Sequence, residues 1–173
     1  MATTAAGTPY VESSDLVANY PGVSLALANH IDASTGKVLQ VVSANFTGVV
    51  LTTSATYVTT NITATITPSR TTSKVLIMAN LPVGATSSAE VAAYTLFRGT
   101  VAGTNLMGTN GFTYLYNSAG RIYALAACHF LDSPNTTSAQ IYTIGFKRDL
   151  GSDSVSANFS TTTASIILME VGA

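Results

Sequence analysis

The sequence predicts an all-β fold: an antiparallel β-sandwich or jelly roll, preceded by an extended N-terminal arm and one short helix. Short apolar runs recur from residue 37 to residue 171, and clusters of Gly, Asn, Asp, Ser and Pro separate them. No helical pattern lies between these runs, which excludes an alternation of strands and helices. The 173 residues include only seven basic and eight acidic ones but 18 Ser and 27 Thr, so hydroxyls and amides must cover much of the surface.

Residues 1–22 are predicted to form an extended arm, because small and polar residues are interrupted there by Pro9 and Pro21. A disordered tail normally lacks large apolar side chains. This segment carries several, among them Tyr10, Val11, Leu16 and Tyr20. We therefore expect these four side chains to attach the arm to another protein.

A short helix is predicted over residues 24–31. Val23, Leu27 and Ile31 recur every fourth residue and fall on one helix face, and Gly36 follows as a stop signal. A helix of about two turns is marginally stable alone in water. It is therefore expected to pack against the rest of the chain or a partner.

The pattern changes at Gly36, which divides the chain into an attachment segment, residues 1–35, and a β-sandwich domain, residues 36–173. Long strands are predicted in the second part at residues 37–44, 63–67, 74–81, 90–98, 121–130, 140–148 and 164–171. Shorter strands are predicted at residues 48–53, 101–107, 112–116 and 155–159. The runs at 74–81 and 164–171 are almost continuously apolar, as in strands covered on both faces. A neighbouring subunit or the arm would provide the second cover.

Composition excludes several classes of function. The net charge is −1 and the seven basic residues are scattered, whereas nucleic-acid binding needs a basic patch. No apolar run reaches the roughly 18 residues of a membrane span, so no membrane insertion is expected. Two His and one Cys do not supply the ligands of a metal site.

The residues with chemical potential do not form a catalytic arrangement. Cys128 and His129 are adjacent, so on a strand their side chains point to opposite faces and cannot act as a nucleophile–base pair. Asp149 and Asp153 are the two carboxylates close together in sequence within the β-sandwich domain, and turn formation explains both. We therefore predict that the protein is not an enzyme and binds no cofactor or metal.

Four blocks of the sequence resemble a recurrent structural domain of tailed-phage virions, found in tail fibres and capsid-surface proteins and frequent in cyanophages. The blocks are GKVLQVV at 36–42, TPSRTTSKVLIMA at 67–79, FLDSPNTTSAQIYTI at 130–144 and TTTASIILMEV at 161–171. Residues 8–32 are similar to the N-terminal attachment segment of such proteins. The resemblance implies a homotrimeric β-sandwich held on the virion by its arm.

A single sandwich without a fibre shaft favours a capsid decoration protein, a cement or spike protein whose arm binds the major capsid protein or another virion protein. The alternative is a short tail fibre or tail-tip protein that recognises host surface carbohydrate. For the trimer we expect the subunits to pack through apolar strand faces that include Val75, Ile77, Ile166 and Leu168.

Three tyrosines near the turn at residues 117–120 are candidates for glycan contact, namely Tyr114, Tyr116 and Tyr123. Tyrosine at the rim of a sandwich stacks on sugars, with Asn110 and Asn117 as hydrogen-bonding neighbours. Tyrosine is also enriched where proteins pack together, so contact between subunits explains the same residues. The sequence leaves both interpretations open.

Overall fold

The computed structural model describes residues 2–3, 9–10, 20–33, 37–87, 89–159 and 162–172. Within them, two antiparallel β-sheets pack face to face, and a small two-stranded sheet and one helix lie towards the N-terminus. The prediction of an all-β sandwich is confirmed.

The described residues form one helix and thirteen strands. The N-terminal elements are β1 (Ala2–Thr3), β2 (Pro9–Tyr10) and α1 (Tyr20–Ala33). The first strands of the sandwich are β3 (Val38–Phe46), β4 (Val50–Thr52), β5 (Val58–Ile66), β6 (Lys74–Ala85) and β7 (Glu90–Arg98). The remaining strands are β8 (Thr104–Asn105), β9 (Thr113–Asn117), β10 (Ile122–Asp132), β11 (Gln140–Leu150), β12 (Val155–Ala157) and β13 (Ala164–Val171).

The longest strand, β6, organises the six-stranded sheet. One edge of β6 pairs with β10, while the other edge pairs first with β13 and then with β12. Beyond them, β3 pairs with β13 and β4 pairs with β12. This sheet therefore ends in β10 on one side and in β3 and β4 on the other.

The five-stranded sheet is centred on β11 and β7. Strand β5 pairs with β11, and the far edge of β7 pairs with both β8 and β9. The chain crosses between the sheets at six connections: β4 to β5, β5 to β6, β6 to β7, β9 to β10, β10 to β11 and β11 to β12. Neighbours in sequence therefore often belong to opposite layers.

The core lies between the two sheets because alternate residues of each strand point inward. The six-stranded sheet contributes side chains that include Val75, Ile77, Leu81, Ile166 and Leu168. The five-stranded sheet contributes Ile62, Ile66, Tyr94, Leu96, Tyr142, Ile144 and Phe146. Tyr94 stacks on Phe146 with ring centroids 5.9 Å apart, and its hydroxyl donates to the Ser156 carbonyl across the sandwich at 2.6 Å.

Strand β6 continues to Ala85, past the predicted end at residue 81, despite the proline at position 82. The pairing with β13 stops at Asn80, and the pairing with β12 starts at Val83. Pro82 therefore sits where neither strand needs a backbone donor, so its missing N–H breaks no ladder bond. Its carbonyl still accepts a hydrogen bond from the Asn158 N–H at 2.7 Å.

Most other predicted strands differ from the structure by one or two residues at an end, and two differ by more. β5 begins at Val58 rather than at residue 63, and the stretch predicted at 101–107 contributes only Thr104–Asn105 to a ladder. In β5 a bulge at Asn61, whose φ is 65°, interrupts the pairing with β11. Burial still alternates through the bulge, but the inward residue Thr60 is polar, so the first half of β5 shows no apolar alternation in the sequence.

The described residues before position 37 form two short strands and one helix. β1 pairs with β2 through Ala2–Tyr10 and Thr3–Pro9. The helix runs over Tyr20–Ala33, whereas the prediction covers residues 24–31. Pro21 falls in the first helical turn, where its missing N–H would have no intrahelical acceptor, so it fits the start of the helix.

Candidate assembly surface

The outer face of the six-stranded sheet carries two neighbouring rows of mainly apolar side chains. Register across β3, β13, β6 and β10 defines the first row as Val41, Met169, Leu76 and Leu131. The second row, two residues along each strand, consists of Ser43, Ile167, Met78 and His129. We call these eight residues the outer-face rows.

The ends of this surface are open to solvent. Val41 is 56% exposed at the β3 end of the first row, and Leu131 is 49% exposed at its β10 end. Further along β10, Leu125 is 68% exposed, the highest value among the large apolar residues described. Large apolar side chains side by side on one face are typical of interaction surfaces.

Few charges interrupt this face. Lys74 lies at one end of β6, and Arg121 immediately precedes β10 at the opposite end of the sheet. Among the described residues of the four strands, the two acidic side chains, Asp132 and Glu170, both point inward and are buried. The outer-face rows themselves contain no carboxylate and no lysine or arginine.

A shallow depression of about 380 Å³ opens beside the second row. Met78, His129 and Ile167 line it, together with the polar side chains of Asn80 and Ser165. This mixture of apolar and neutral polar groups, open to solvent, suits packing by another protein surface better than it suits a charged ligand.

The four residues predicted for the trimer interface do not lie on this surface. Val75, Ile77, Ile166 and Leu168 are each 0% exposed and belong to the core of the single chain. That assignment is corrected: these residues of β6 and β13 already pack within the core of one chain, so they present no side-chain surface to a second subunit. Their sequence neighbours in the outer-face rows point outward instead.

The predicted attachment residues are described only in part. Tyr10 is exposed in β2 and Tyr20 is the first residue of α1. Val11 and Leu16 lie outside the described residues. The prediction that these four side chains bind another virion protein therefore stays a prediction.

The three candidate glycan-binding tyrosines are all exposed but do not form one cluster. Tyr114 and Tyr116 lie on the outside of β9 in the five-stranded sheet, whereas Tyr123 belongs to β10 in the six-stranded sheet. Tyr123 stacks on Phe159 with ring centroids 4.2 Å apart. Asn117, expected as a polar neighbour, is buried and bonded to backbone atoms of its own turn.

Tyr114 is also engaged by a charged group. Its hydroxyl donates to the Asp149 carboxylate, which also accepts from the Lys147 ammonium. The hydrogen bond to Asp149 raises the pKa of Tyr114, and the Lys147 and Tyr114 donors lower the pKa of Asp149. Tyr116, two residues further along β9, keeps the ring more exposed, at 59%.

Two buried carboxylates, Asp132 and Glu170, join strands of the sandwich. Asp132 of β10 accepts from Arg98 of β7 at 3.1 Å and from the Tyr142 hydroxyl of β11 at 2.7 Å, so it links the two sheets. Burial and this hydrogen bond raise the pKa of Tyr142. Glu170 of β13 accepts from Gln40 of β3 at 2.7 Å. These carboxylates are occupied by structural contacts.

The adjacent Cys128 and His129 lie on opposite faces of β10, as predicted. Cys128 is buried against the core and His129 is exposed. Burial raises the pKa of the Cys128 thiol to about 11, which leaves it protonated at neutral pH.

The described part of the chain contains no group of three or more His, Cys, Asp or Glu side chains that would suit a metal ion. In the same part, no helix has the length and apolar character to cross a membrane.

No protein-family model matches the chain, and no curated protein sequence matches it.

Proposed function

We propose that this protein is a non-enzymatic structural subunit that assembles with copies of itself through the outer face of its six-stranded sheet. The observation that carries the proposal is the pair of outer-face rows, which lie side by side across four strands. Burying such a face in an assembly removes apolar surface from water, at about 25 cal/mol per Å².

The low charge of the whole chain supports a copy of itself as the partner. With 15 charged residues, taken as the seven basic plus the eight acidic, the chain has little charge with which to select or repel a different protein. Two copies of a neutral apolar face meet without leaving an unpaired charge.

We extend the proposal to a tailed-phage virion, where the protein acts as a homotrimeric capsid decoration protein of the cement or spike kind. Its support is the resemblance of four sequence blocks, together with the β-sandwich of the described residues. The N-terminal arm then binds the major capsid protein or another virion protein, and each contact stabilises the shell by mass action.

The alternative is a short tail fibre or tail-tip protein that binds host surface carbohydrate. The observation that favours it is the pair of exposed tyrosines, Tyr114 and Tyr116, on one side of β9. Saturable binding to host surface glycans that Tyr116→Ala abolishes would support this function. Failure of the unmodified protein to bind any host surface glycan would exclude it.

The experiment that tests self-association uses two matched pairs of lysine substitutions. Val41→Lys with Ser43→Lys places two charges in the outer-face rows at exposed positions of β3. Thr63→Lys with Thr65→Lys places the same charges at exposed positions of β5, in the other sheet. Light scattering after size-exclusion chromatography should give a smaller oligomer for the first pair only. An unchanged mass for the first pair would contradict the proposed surface.

A further inference from the structure

Strand β10 has an uninterrupted free edge. Its eleven residues, Ile122 to Asp132, pair with Ala85 to Val75 of β6 without a register shift. Among the described residues, no strand pairs with its other edge. Every second backbone N–H and C=O group of an antiparallel edge strand points away from the sheet and is available to another strand.

The other edges of the sandwich are protected in the ways that natural proteins use. β3 has a register shift against β13 at Glu170 and Val171, and β5 is bulged at Asn61. The remaining edge strands, β4, β8 and β9, have five residues or fewer. Short strands and bulges prevent unwanted pairing.

β10 has none of these protections. From Ile122 to Leu131 it contains no Pro, no Gly and no Lys, Arg, Asp or Glu. Its outward side chains include the exposed Tyr123, Leu125 and Leu131. A long, regular, uncharged and apolar edge is expected to be covered by another strand in the functional protein.

We infer that β10 pairs with β10 of a second copy, antiparallel, about a twofold axis at Ala127; this inference rests on the proposed self-association. A partner strand must be as long and as regular as β10 to satisfy its whole edge. Within the described chain, the only unpaired edge of that length and regularity is the edge of β10 itself.

The register follows from symmetry. Ala127 is the middle residue of Ile122–Asp132, so an axis there pairs all eleven residues. On the outer face, Tyr123 then lies opposite Leu131 of the partner subunit, and Leu125 lies opposite His129 of the partner subunit. Aromatic and aliphatic cross-strand pairs of this kind stabilise a sheet.

The inner side of the strand fits the same register. Ala124 lies opposite Phe130 of the partner subunit, and Ala126 lies opposite Cys128 of the partner subunit, so each of these pairs contains at least one small side chain. The two six-stranded sheets become one continuous sheet with both apolar outer faces on the same side. Where a threefold assembly also forms, this twofold contact joins copies from neighbouring trimers.

The test is a disulfide across the proposed axis in the full-length chain. Ala127→Cys in a Cys128→Ala background leaves a single cysteine, and paired residues on adjacent antiparallel strands have Cα atoms about 4.5–5.5 Å apart, within disulfide range. The control carries Thr65→Cys in the same background, at an exposed position of β5. Under mild oxidation, most of the first variant should run as a covalent dimer and the control as a monomer.

A second measurement uses the unmodified protein, so its result does not depend on whether the cysteine variants fold. Hydrogen–deuterium exchange of residues 122–131 should slow at least tenfold when the protein concentration is raised from dilute to the range in which it associates. Exchange in β5 should not change with concentration.

The outcomes separate the inference from the proposed function. An oligomer that gives neither the covalent dimer of the Ala127→Cys variant nor concentration-dependent protection of β10 overturns the twofold contact and leaves self-association standing. Equal cross-linking of both cysteine variants also overturns it. A protein that stays monomeric at every concentration overturns the proposed function and the twofold contact together.

Discussion

At the scale of single residues, Glu170 is a buried carboxylate whose two oxygens both accept hydrogen bonds from neighbouring residues. Its Oε1 accepts from the Ser69 N–H and hydroxyl, each at 2.7 Å, and its Oε2 accepts from Gln40 at 2.7 Å. Burial raises the pKa of Glu170, but the hydrogen bonds from Gln40 and Ser69 outweigh burial and lower it to about 2. The carboxylate thus fastens β13 to β3 and to the segment before β6.

Acid should therefore weaken the fold through Glu170. Its folded pKa, about 2, lies below its ordinary value of 4.5, so its stabilising contribution is complete above pH 4.5. That contribution is lost as the pH falls from 4.5 towards 2. Thermal unfolding should give a falling Tm in this window, and Glu170→Gln should flatten the fall while costing about 1–3 kcal/mol at pH 7. The same pH slope in the variant and the unmodified protein would contradict this role.

Leu168 provides a second prediction at this scale, because the sequence assigns it to an interface and the structure places it in the core. Leu168→Ala should lower the free energy of unfolding by about 2–5 kcal/mol, the usual cost of a core cavity. Ile141→Ala, on the exposed side of β11, should cost clearly less. Urea denaturation measures both. Equal costs for the two variants would mean that Leu168 is not a core residue.

At the scale of elements, the sequence predicts strands best where turn residues flank them. The bounds of β7 and β13 agree with the predicted 90–98 and 164–171. β6 and β13 are apolar on both faces, so periodicity cannot say which face points inward. Whether Val75 or its neighbour Leu76 points into the core, and likewise Leu168 or Met169, depends on which face of each strand the second sheet covers. The packing of one sheet on the other joins distant parts of the chain, so the pattern of apolar residues along a single strand does not reveal it.

The placement of Tyr114 and Tyr116 on one sheet and of Tyr123 on the other was missed for a similar reason. β9 and β10 are joined by the short turn after Asn117, yet they belong to opposite sheets. Closeness in sequence therefore suggests that Tyr116 and Tyr123 lie together, whereas the chain crosses between layers at this turn. The outer-face rows cannot be predicted from the sequence either, because they combine residues from four strands whose order the sequence does not reveal.

A prediction at the same scale concerns Gly84, where β6, β10 and β12 meet. A Cβ at Gly84 would lie 2.7 Å from the Tyr123 ring, 2.8 Å from the Ser156 hydroxyl and 3.0 Å from the Ile122 carbonyl. Gly84→Ala should cost about 1–3 kcal/mol by overpacking. Thr65→Ala, at an exposed position of β5, serves as the control, and chemical denaturation measures both. A Gly84→Ala protein as stable as the control would show that the strands separate freely there.

At the scale of the whole molecule, the chain combines a well-packed sandwich with surfaces that carry very little charge. A single chain forms a complete core, because the inward side chains of β6 and β13 are fully buried without a partner. Outside the core, the outer-face rows and the free edge of β10 are the surfaces that a second copy can cover. The proposed assembly would therefore add contacts to a folded unit and need not complete its core.

Removal of the N-terminal arm should abolish attachment to a particle without changing the fold of the sandwich. Deletion of residues 1–19 is expected to leave the Tm within about 3 °C and the number of chains per oligomer unchanged, because the described core of the sandwich begins at Ile62 and continues to Leu168. In a virion, the same deletion should abolish co-sedimentation with particles that lack the protein. Particle binding by the truncated protein would contradict attachment through the arm.

Sedimentation equilibrium of the unmodified full-length protein is the most direct measurement of self-association. The monomer has a mass of 17.8 kDa. We predict a discrete oligomer, a whole-number multiple of that mass, whose population grows with protein concentration and shrinks when Val41→Lys and Ser43→Lys are introduced together. A single species at the monomer mass over the full concentration range would contradict the proposed function.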